Sequence, residues 1–341
     1  MSPGLAYILM LIGFAVYLGV LTAAPRLGRQ VIWTAIVLAV AAFAVAPVLL
    51  SHDVYSYLDY ARLGVVHGLD PYAHPPSAAP TDPVYRDVEW TDATSAYGPL
   101  FTLLTYPLAW LPIGTAVAAL KVLAAGSVLV LAWLVAPLAA ARGLDPTRAA
   151  AFVALNPLVL VHVVGGAHND GLAILAALVG VASLLAARKA TAGAAFVAAA
   201  AIKASTAVVA PFALLAAMRP AGRFLAGTVT AIGAIALAAW FAFGWDWLSA
   251  FGLAGENQDR TSHMSVPVTA ARILGLDADP VRALALVLYA ALVLYLLAWT
   301  WRGGDWLRAR SRRAGRGRGR HRGRGREHGP GRRRGRGCER R

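Results

Sequence analysis

Long uninterrupted apolar runs constrain this chain more than any other feature. Residues 4–22, 31–50, 115–140, 149–165, 171–187, 223–244 and 280–301 each carry few or no charges. A helix needs about 20 such residues to cross the hydrocarbon core of a bilayer. Two shorter runs, 190–203 and 206–218, read as a pair of half-length helices. With 58% hydrophobic residues, the chain carries more apolar surface than a soluble domain of 341 residues needs. The expected fold is an all-α polytopic membrane protein, a bundle of about 9–10 transmembrane or half-length helices. No Lys or Arg precedes the first run, so it lacks the basic start of a signal peptide and is expected to be a retained span.

Charge divides the chain in two. Residues 1–301 carry 15 Lys and Arg against 14 Asp and Glu, while residues 302–341 carry 17 against 3. The expected domains are therefore a membrane domain, 1–301, and a disordered Arg/Gly-rich tail, 302–341. The tail's composition is that of RNA-binding segments and also suits anionic lipid, but no nucleic-acid partner is expected. The single cysteine, Cys338, excludes an internal disulfide. Basic clusters at Arg26/Arg29, Arg142/Arg148, Arg188/Lys189, Arg219/Arg223 and the tail all face the cytoplasm if 99–112 is interfacial or re-entrant and 115–140 crosses once. Three segments then face outward: 51–98, the tip 166–170, and 245–265. The first holds seven acidic residues, Asp53, Asp59, Asp70, Asp82, Asp87, Glu89 and Asp92.

The outer segments concentrate the polar chemistry. In "DVYSYLDYARLGVVH" (53–67), Asp53, Tyr57 and Tyr60 share one helical face, as in a short helix lying at the membrane surface. Asp53 is a candidate base there, against a simple N-cap. Asp59 and Arg62 are spaced for a surface ion pair. The loop is bracketed by "GLDPYAHPP" and "SAYGPLF", whose Tyr72 and Tyr97 suit stacking on a sugar or plain anchoring. His168, Asn169 and Asp170 follow Gly165-Gly166, which permit close backbone approach; the alternative is an Asn/Asp cap on the next helix. Lys203, in an apolar segment, is a functional candidate by default, with snorkelling as the alternative. Arg260 and His263 lie in a 245–265 loop that mixes tryptophans with hydrogen-bonding side chains. Asp145-Pro146 and Asp279-Pro280 read as N-cap then first helical position.

In order, "SHDVYSYLDYARLGVVHGLDPY", "YGPLF", "NPLVLVHVVGGAHNDGL" and "IKAS" resemble the polyprenyl-phosphate-mannose-dependent α-1,6-mannosyltransferases of actinobacteria, in the GT-C class of membrane glycosyltransferases. The similarity runs from about residue 45 to residue 265. It implies a GT-C-like bundle in the plasma membrane with an extracytoplasmic active site. The implied donor is polyprenyl-phosphate-mannose, and the acceptor a lipid-anchored mannan such as lipomannan or a related cell-wall glycan. The reaction would invert, with Asp53 as catalytic base. Tyr57, Asp70, Tyr72, Tyr97, His168, Asn169, Asp170, Lys203, Arg260 and His263 would contact substrate, with Lys203 on the phosphate. A monophosphate leaving group needs no metal in principle, so neither metal nor cofactor is expected. The rival readings are a transporter or lipid-linked-sugar flippase, for which matching broken-helix repeats would be the sign, and a non-catalytic membrane scaffold.

Overall fold

A computed structural model describes residues 3–217, 221–250, 252 and 265–321, with residues 3–7 and 303–321 as backbone only. The chain falls into two units, residues 1–265 and 266–341. In the first, α1 (Pro3–Leu27), α2 (Arg29–Val45), α3 (Asp53–Val65), α4 (Pro99–Thr105), α5 (Ile113–Ala140), α6 (Pro146–Ala154), α7 (Asp170–Leu185), α8 (Lys189–Ile202), α9 (Ala210–Ala217) and α10 (Gly222–Phe243) follow in order. The second unit holds α11 (Val266–Leu274) and α12 (Ala278–His321). Among the described residues there is no strand. Among the described residues, four helices are long and apolar enough to cross a membrane: Ile8–Leu27 within α1, α5, α10, and Ala278–Arg302 within α12. The shorter apolar helices include α2, α7, α8 and Ala204–Ala217. The protein is thus an all-α polytopic membrane protein. The composition break at residue 302 lies inside α12.

One expected span is not a straight helix. Residues 149–165 are divided between α6 and a π-helix, Val159–Gly165, bent by 58°. The cause is Pro157, which cannot donate to the helical ladder and crowds the preceding turn. Asn156 fills the break, its Oδ1 accepting from the Leu158 amide at 2.9 Å. Helix α12 also begins two residues earlier than expected, at Ala278. Asp279 therefore lies inside the first turn, paired with Arg282 at 3.2 Å rather than capping. Asp145 does cap α6, accepting from the Arg148 amide at 2.6 Å.

The membrane core is built largely from small side chains. Ala24 of α1, Ile36 and Val40 of α2, Ala125 and Ala132 of α5, Ala150 and Ala154 of α6, and Val164 form one buried cluster. Small residues let helix backbones approach closely where lipid supplies no hydrophobic contrast. Into this layer α5 sends Lys121, which is buried and donates to the carbonyls of Ala46 and Pro47. Those carbonyls lie just past the end of α2 and lack helical partners. Lys121 therefore fixes the segment that leads from α2 to Asp53.

The 51–98 segment is tightly packed. Helix α3 buries Val54, Ser56 through Ala61, and Leu63, so it is not the surface-lying helix expected. Nor is Asp59 in a surface pair with Arg62. Asp59 is 1% exposed, and Arg62 instead holds Asp82, with Nε 3.0 Å from both carboxylate oxygens. His67 Nε2 also contacts Asp82, at 2.7 Å. Helical spacing of i, i+3 put Asp59 and Arg62 together, but a buried acceptor twenty residues on competes better for the guanidinium. Burial, with the Asp82 carboxylate nearby, raises Asp59 to about 7 against the lowering pull of His67 and Arg62. Asp82 is held below its ordinary value by Arg62, the Val84 amide and His67, which together outweigh the effect of its burial.

The loop ends in α4, seven residues long, followed by a turn of 3-10 helix at Tyr106–Trp110, too short to cross. Gly98, at the start of α4, donates its amide to the Ile202 carbonyl at 3.3 Å. A Cβ there would lie 2.0 Å from the Ala201 carbonyl oxygen. Only glycine lets the loop's end touch the end of α8, where Lys203 sits. Gly98→Ala is expected to destabilise the fold by about 1–3 kcal/mol, seen as a lower thermal midpoint in detergent. Asp59 gives a second expectation. Its folded-state value lies above the ordinary 3.8, so the native state retains a proton that the unfolded chain releases. Stability should fall as pH rises from 3.8 to about 7 and level off above. Asp59→Asn should stabilise the fold at pH 8 by on the order of a few kcal/mol, read as a higher thermal midpoint, with the gain shrinking toward pH 4.

Candidate functional site

Five stretches of chain meet at one cluster of buried side chains. Val54 and Tyr57 of α3, Phe101 of α4, Leu120 of α5, Ala167, Ala173 of α7 and Ile202 of α8 pack together. Asp53 stands at the edge of this floor as the first residue of α3. His52 is at the N-cap position and no side-chain capping bond forms, so the carboxylate is not spent on the helix end. Its Oδ1 accepts from Trp90 Nε1 at 3.1 Å, and its Oδ2 lies 3.6 Å from His168 Nδ1. The Tyr57 hydroxyl approaches the same nitrogen at 3.5 Å. The Tyr57 ring is held edge-on by Tyr97 and Phe101, with centroids 4.7 and 4.8 Å away. Burial raises the Tyr57 phenol well above its ordinary value, and the Asp53 and Asp170 carboxylates add to this.

The "GGAHND" turn supplies the opposite wall. His168 stacks on His162, six residues before it in the π-helix, at 3.9 Å between ring centroids. A Cβ on Gly166 would sit 2.6 Å from the His162 carbonyl oxygen and 2.8 Å from the His168 ring, so the stack requires glycine there. Ala167 takes a left-handed φ of 56°, as Leu50 does at 63° just before Asp53. Such backbone in non-glycine residues persists only where the surroundings dictate it. Burial, and then His162 beside it, lowers His168 to about 4, although Asp53 and Asp170 pull the other way. The imidazole is therefore neutral near pH 7. Its Nε2 and both polar atoms of the Asn169 carboxamide are buried without a hydrogen-bond partner among the described residues. Asn169 is at the N-cap of α7 but makes no capping bond, and Asp170 instead binds Lys203, Oδ2 to Nζ 2.7 Å. That geometry sets aside the capping alternative. Both members of the pair remain about one-third exposed.

The other candidates are placed differently. Tyr97 packs against Tyr57 within the floor. Tyr72 is buried away from Asp53. Its hydroxyl reaches the Tyr97 carbonyl and Thr102 Oγ1, both at 2.9 Å, and its ring packs on Phe243. It anchors the loop to α10. Asp70 Oδ1 accepts from the Tyr72 amide at 2.9 Å. It lines a cavity of about 350 Å³ with Tyr106, Phe243 and Asp246, apart from the Asp53 cluster. Burial, and secondarily Asp246, raises Asp70. Arg260 and His263 lie outside the described residues. Two residues of the cluster and its support escaped the sequence reading. Lys121 carried the same signal as Lys203, a lysine inside an apolar run. Trp90 carried none, since an aromatic in an acidic loop has no characteristic spacing.

The family profile described as "Alpha-(1->6)-mannopyranosyltransferase, N-terminal domain" matches residues 4–219, which include every member of this cluster. The chain is 36% identical over 148 residues to alpha-(1->6)-mannopyranosyltransferase A of Mycobacterium tuberculosis, covering 40% of this chain and 28% of that protein. To the enzyme of the same name from Corynebacterium glutamicum it is 32% identical over 146 residues, 41% of this chain and 29% of that one. A second alpha-(1->6)-mannopyranosyltransferase of M. tuberculosis is 33% identical over 144 residues, 40% and 24% of the two chains. The matches thus span less than a third of the relatives' lengths. No solved structure matches the chain. With the profile covering more than half of its residues, this chain belongs to the alpha-(1->6)-mannopyranosyltransferase family.

Proposed function

We propose that this protein is an inverting α-1,6-mannosyltransferase that works on the outer face of the plasma membrane. The donor is a polyprenyl-phosphate-mannose and the acceptor a lipid-anchored mannan. The observation that carries this reading is the Asp53 carboxylate, partly exposed and not used as a helix cap, beside a neutral His168 that also feels the charges of the Lys203–Asp170 pair. Family membership supplies the sugar and the linkage, and the long acidic 51–98 segment supports the outward orientation.

The chemistry follows from the charges. Acceptor oxygen bonds to the mannosyl C1 as the bond from C1 to the phosphate oxygen breaks. The acceptor proton passes to Asp53, and the phosphate departs with the bonding pair. A carboxylate can take that proton without a cofactor, and it is in reach of water and lipid alike. Lys203 has three donors, one of which is held by Asp170, and the rest are available to the departing phosphate. Neutral His168 stands 3.6 Å from the Asp53 carboxylate without forming a full ion pair. Asn169, with a buried and unpartnered carboxamide, suits hydroxyls of the sugar. The transporter reading is disfavoured because the π-helical break at 159–165 serves the side-chain cluster and finds no counterpart among the described residues of the second unit.

Mannose transfer in membranes, from polyprenyl-phosphate-mannose to a short α-mannoside, tests the assignment. At matched protein levels Asp53→Asn should lower the rate by about 10²–10⁴-fold. Unchanged transfer by Asp53→Asn would remove it as the base.

A further inference from the structure

Trp90 does more than fill the loop. Its indole N–H donates to Asp53 Oδ1 at 3.1 Å while the residue stays 44% exposed. The segment that carries it is anchored on both sides to α3. Val88 is buried with Leu58, and the Ala93 carbonyl accepts from the Tyr60 hydroxyl at 2.7 Å. Between these anchors the Ala93 amide reaches the Trp90 carbonyl at 3.3 Å, and the Thr91 carbonyl accepts from the Ser77 amide at 2.8 Å. A second clip lies next door, His52 Nδ1 to Glu89 Oε1 at 3.2 Å, both side chains about half exposed. Residues 89–90 are thus pinned onto 52–53 by two neighbouring polar contacts. An aromatic surface is held at a fixed position beside the carboxylate.

The chemistry of that arrangement fits a pyranose. A sugar ring has an apolar face of C–H groups and a rim of hydroxyls. It is recognised by an aromatic surface together with a few placed hydrogen-bonding groups. Here the aromatic is Trp90, and the rim groups are Glu89, Thr91, Asp92 and His52. An indole that merely anchors a loop at the bilayer interface has no need to place its N–H on a carboxylate.

We propose that Trp90 is the acceptor-sugar platform. Its ring takes the apolar face of the acceptor's terminal sugar, and its N–H holds the Asp53 carboxylate toward that sugar's hydroxyl. This deepens the reading above and rests on Asp53 as the base. Two functions are separable because phenylalanine keeps a ring and loses the N–H, whereas alanine loses both.

The test uses the full chain in lipid nanodiscs, with α-1,6-linked mannotriose as the acceptor probe. Its binding is measured by saturation-transfer NMR and titration, alongside the steady-state constants for transfer. Trp90→Phe should bind mannotriose within about threefold of wild type but turn over about tenfold more slowly, because the carboxylate is no longer held. Trp90→Ala should in addition weaken mannotriose binding by about tenfold or more, with the donor KM unchanged in both. If Trp90→Ala does not accumulate, Trp90→Leu, apolar but without an aromatic face, takes its place. Equal binding in wild type and the Ala variant would overturn the proposal, as would equal losses in the Phe and Ala variants. A wild-type protein that does not bind mannotriose would overturn it as well. A wild type that binds the probe and loses binding on Trp90→Ala, yet transfers no mannose, would keep the platform and sink the mannosyltransferase reading. Wild-type acceptor KM in Trp90→Ala with full transfer would do the reverse.

Discussion

The ion pair between Lys203 and Asp170 is the interaction on which the site depends. In a segment this apolar, a lysine and an aspartate are each expensive unless they meet. Their 2.7 Å contact ties the C-terminal end of α8 to the first turn of α7. With α7 so fixed, the preceding turn is forced to deliver His168 to Asp53, and Ile202 beside Lys203 completes the apolar floor under Tyr57. Gly98 then docks the far end of the 51–98 loop onto the same point of α8. One charge pair therefore positions three segments that are remote in sequence.

The site is made from irregular backbone. The helix before it becomes π-helical, Lys203 itself is extended at the end of α8, and Leu50 and Ala167 are left-handed. Inside a membrane protein such departures survive only where neighbouring protein satisfies the freed groups or where they line a polar cavity. The first condition holds here. Lys121 takes the carbonyls past α2, and the residues that keep buried polar atoms unpartnered, His168 and Asn169, face the cluster. Groups left in that condition suit a polar ligand, since burying them with nothing to bind is unfavourable.

Much of the fold was legible because the bilayer enforces it. Helix type, the half-length pair near 190–218 and the shortness of the helices at 99–112 follow from run length and charge alone. The bend at Pro157 was missed because 149–165 is apolar throughout, and hydropathy does not register a proline's lost hydrogen bond. For the site, "HDVYSY" and "GGAHND" drew attention for the same reason that they lie together, polar chemistry placed against apolar runs. Spacing failed where partners came from far along the chain. It joined Asp59 to Arg62, while the guanidinium reached Asp82, and it gave no hint that Trp90 returns to Asp53. Of the two readings open for Tyr72, stacking on a sugar or plain anchoring, its contacts with Thr102 and Phe243 fit the anchor.

The central claim is a division of labour, with Asp53 on the acceptor and Lys203 on the phosphate. It is tested most directly by the binding of a polyprenyl phosphate, the lipid product of the reaction, to the protein in nanodiscs. Asp170→Asn alone is the reference: the pair is broken in every protein compared, so the difference that remains is the lysine's own contact with phosphate, and no unpaired carboxylate is left behind. In that background Lys203→Met should weaken binding by about tenfold or more, while Asp53→Asn leaves it unchanged or tighter. Undiminished binding in the Lys203→Met protein, or a loss confined to Asp53→Asn, would contradict it.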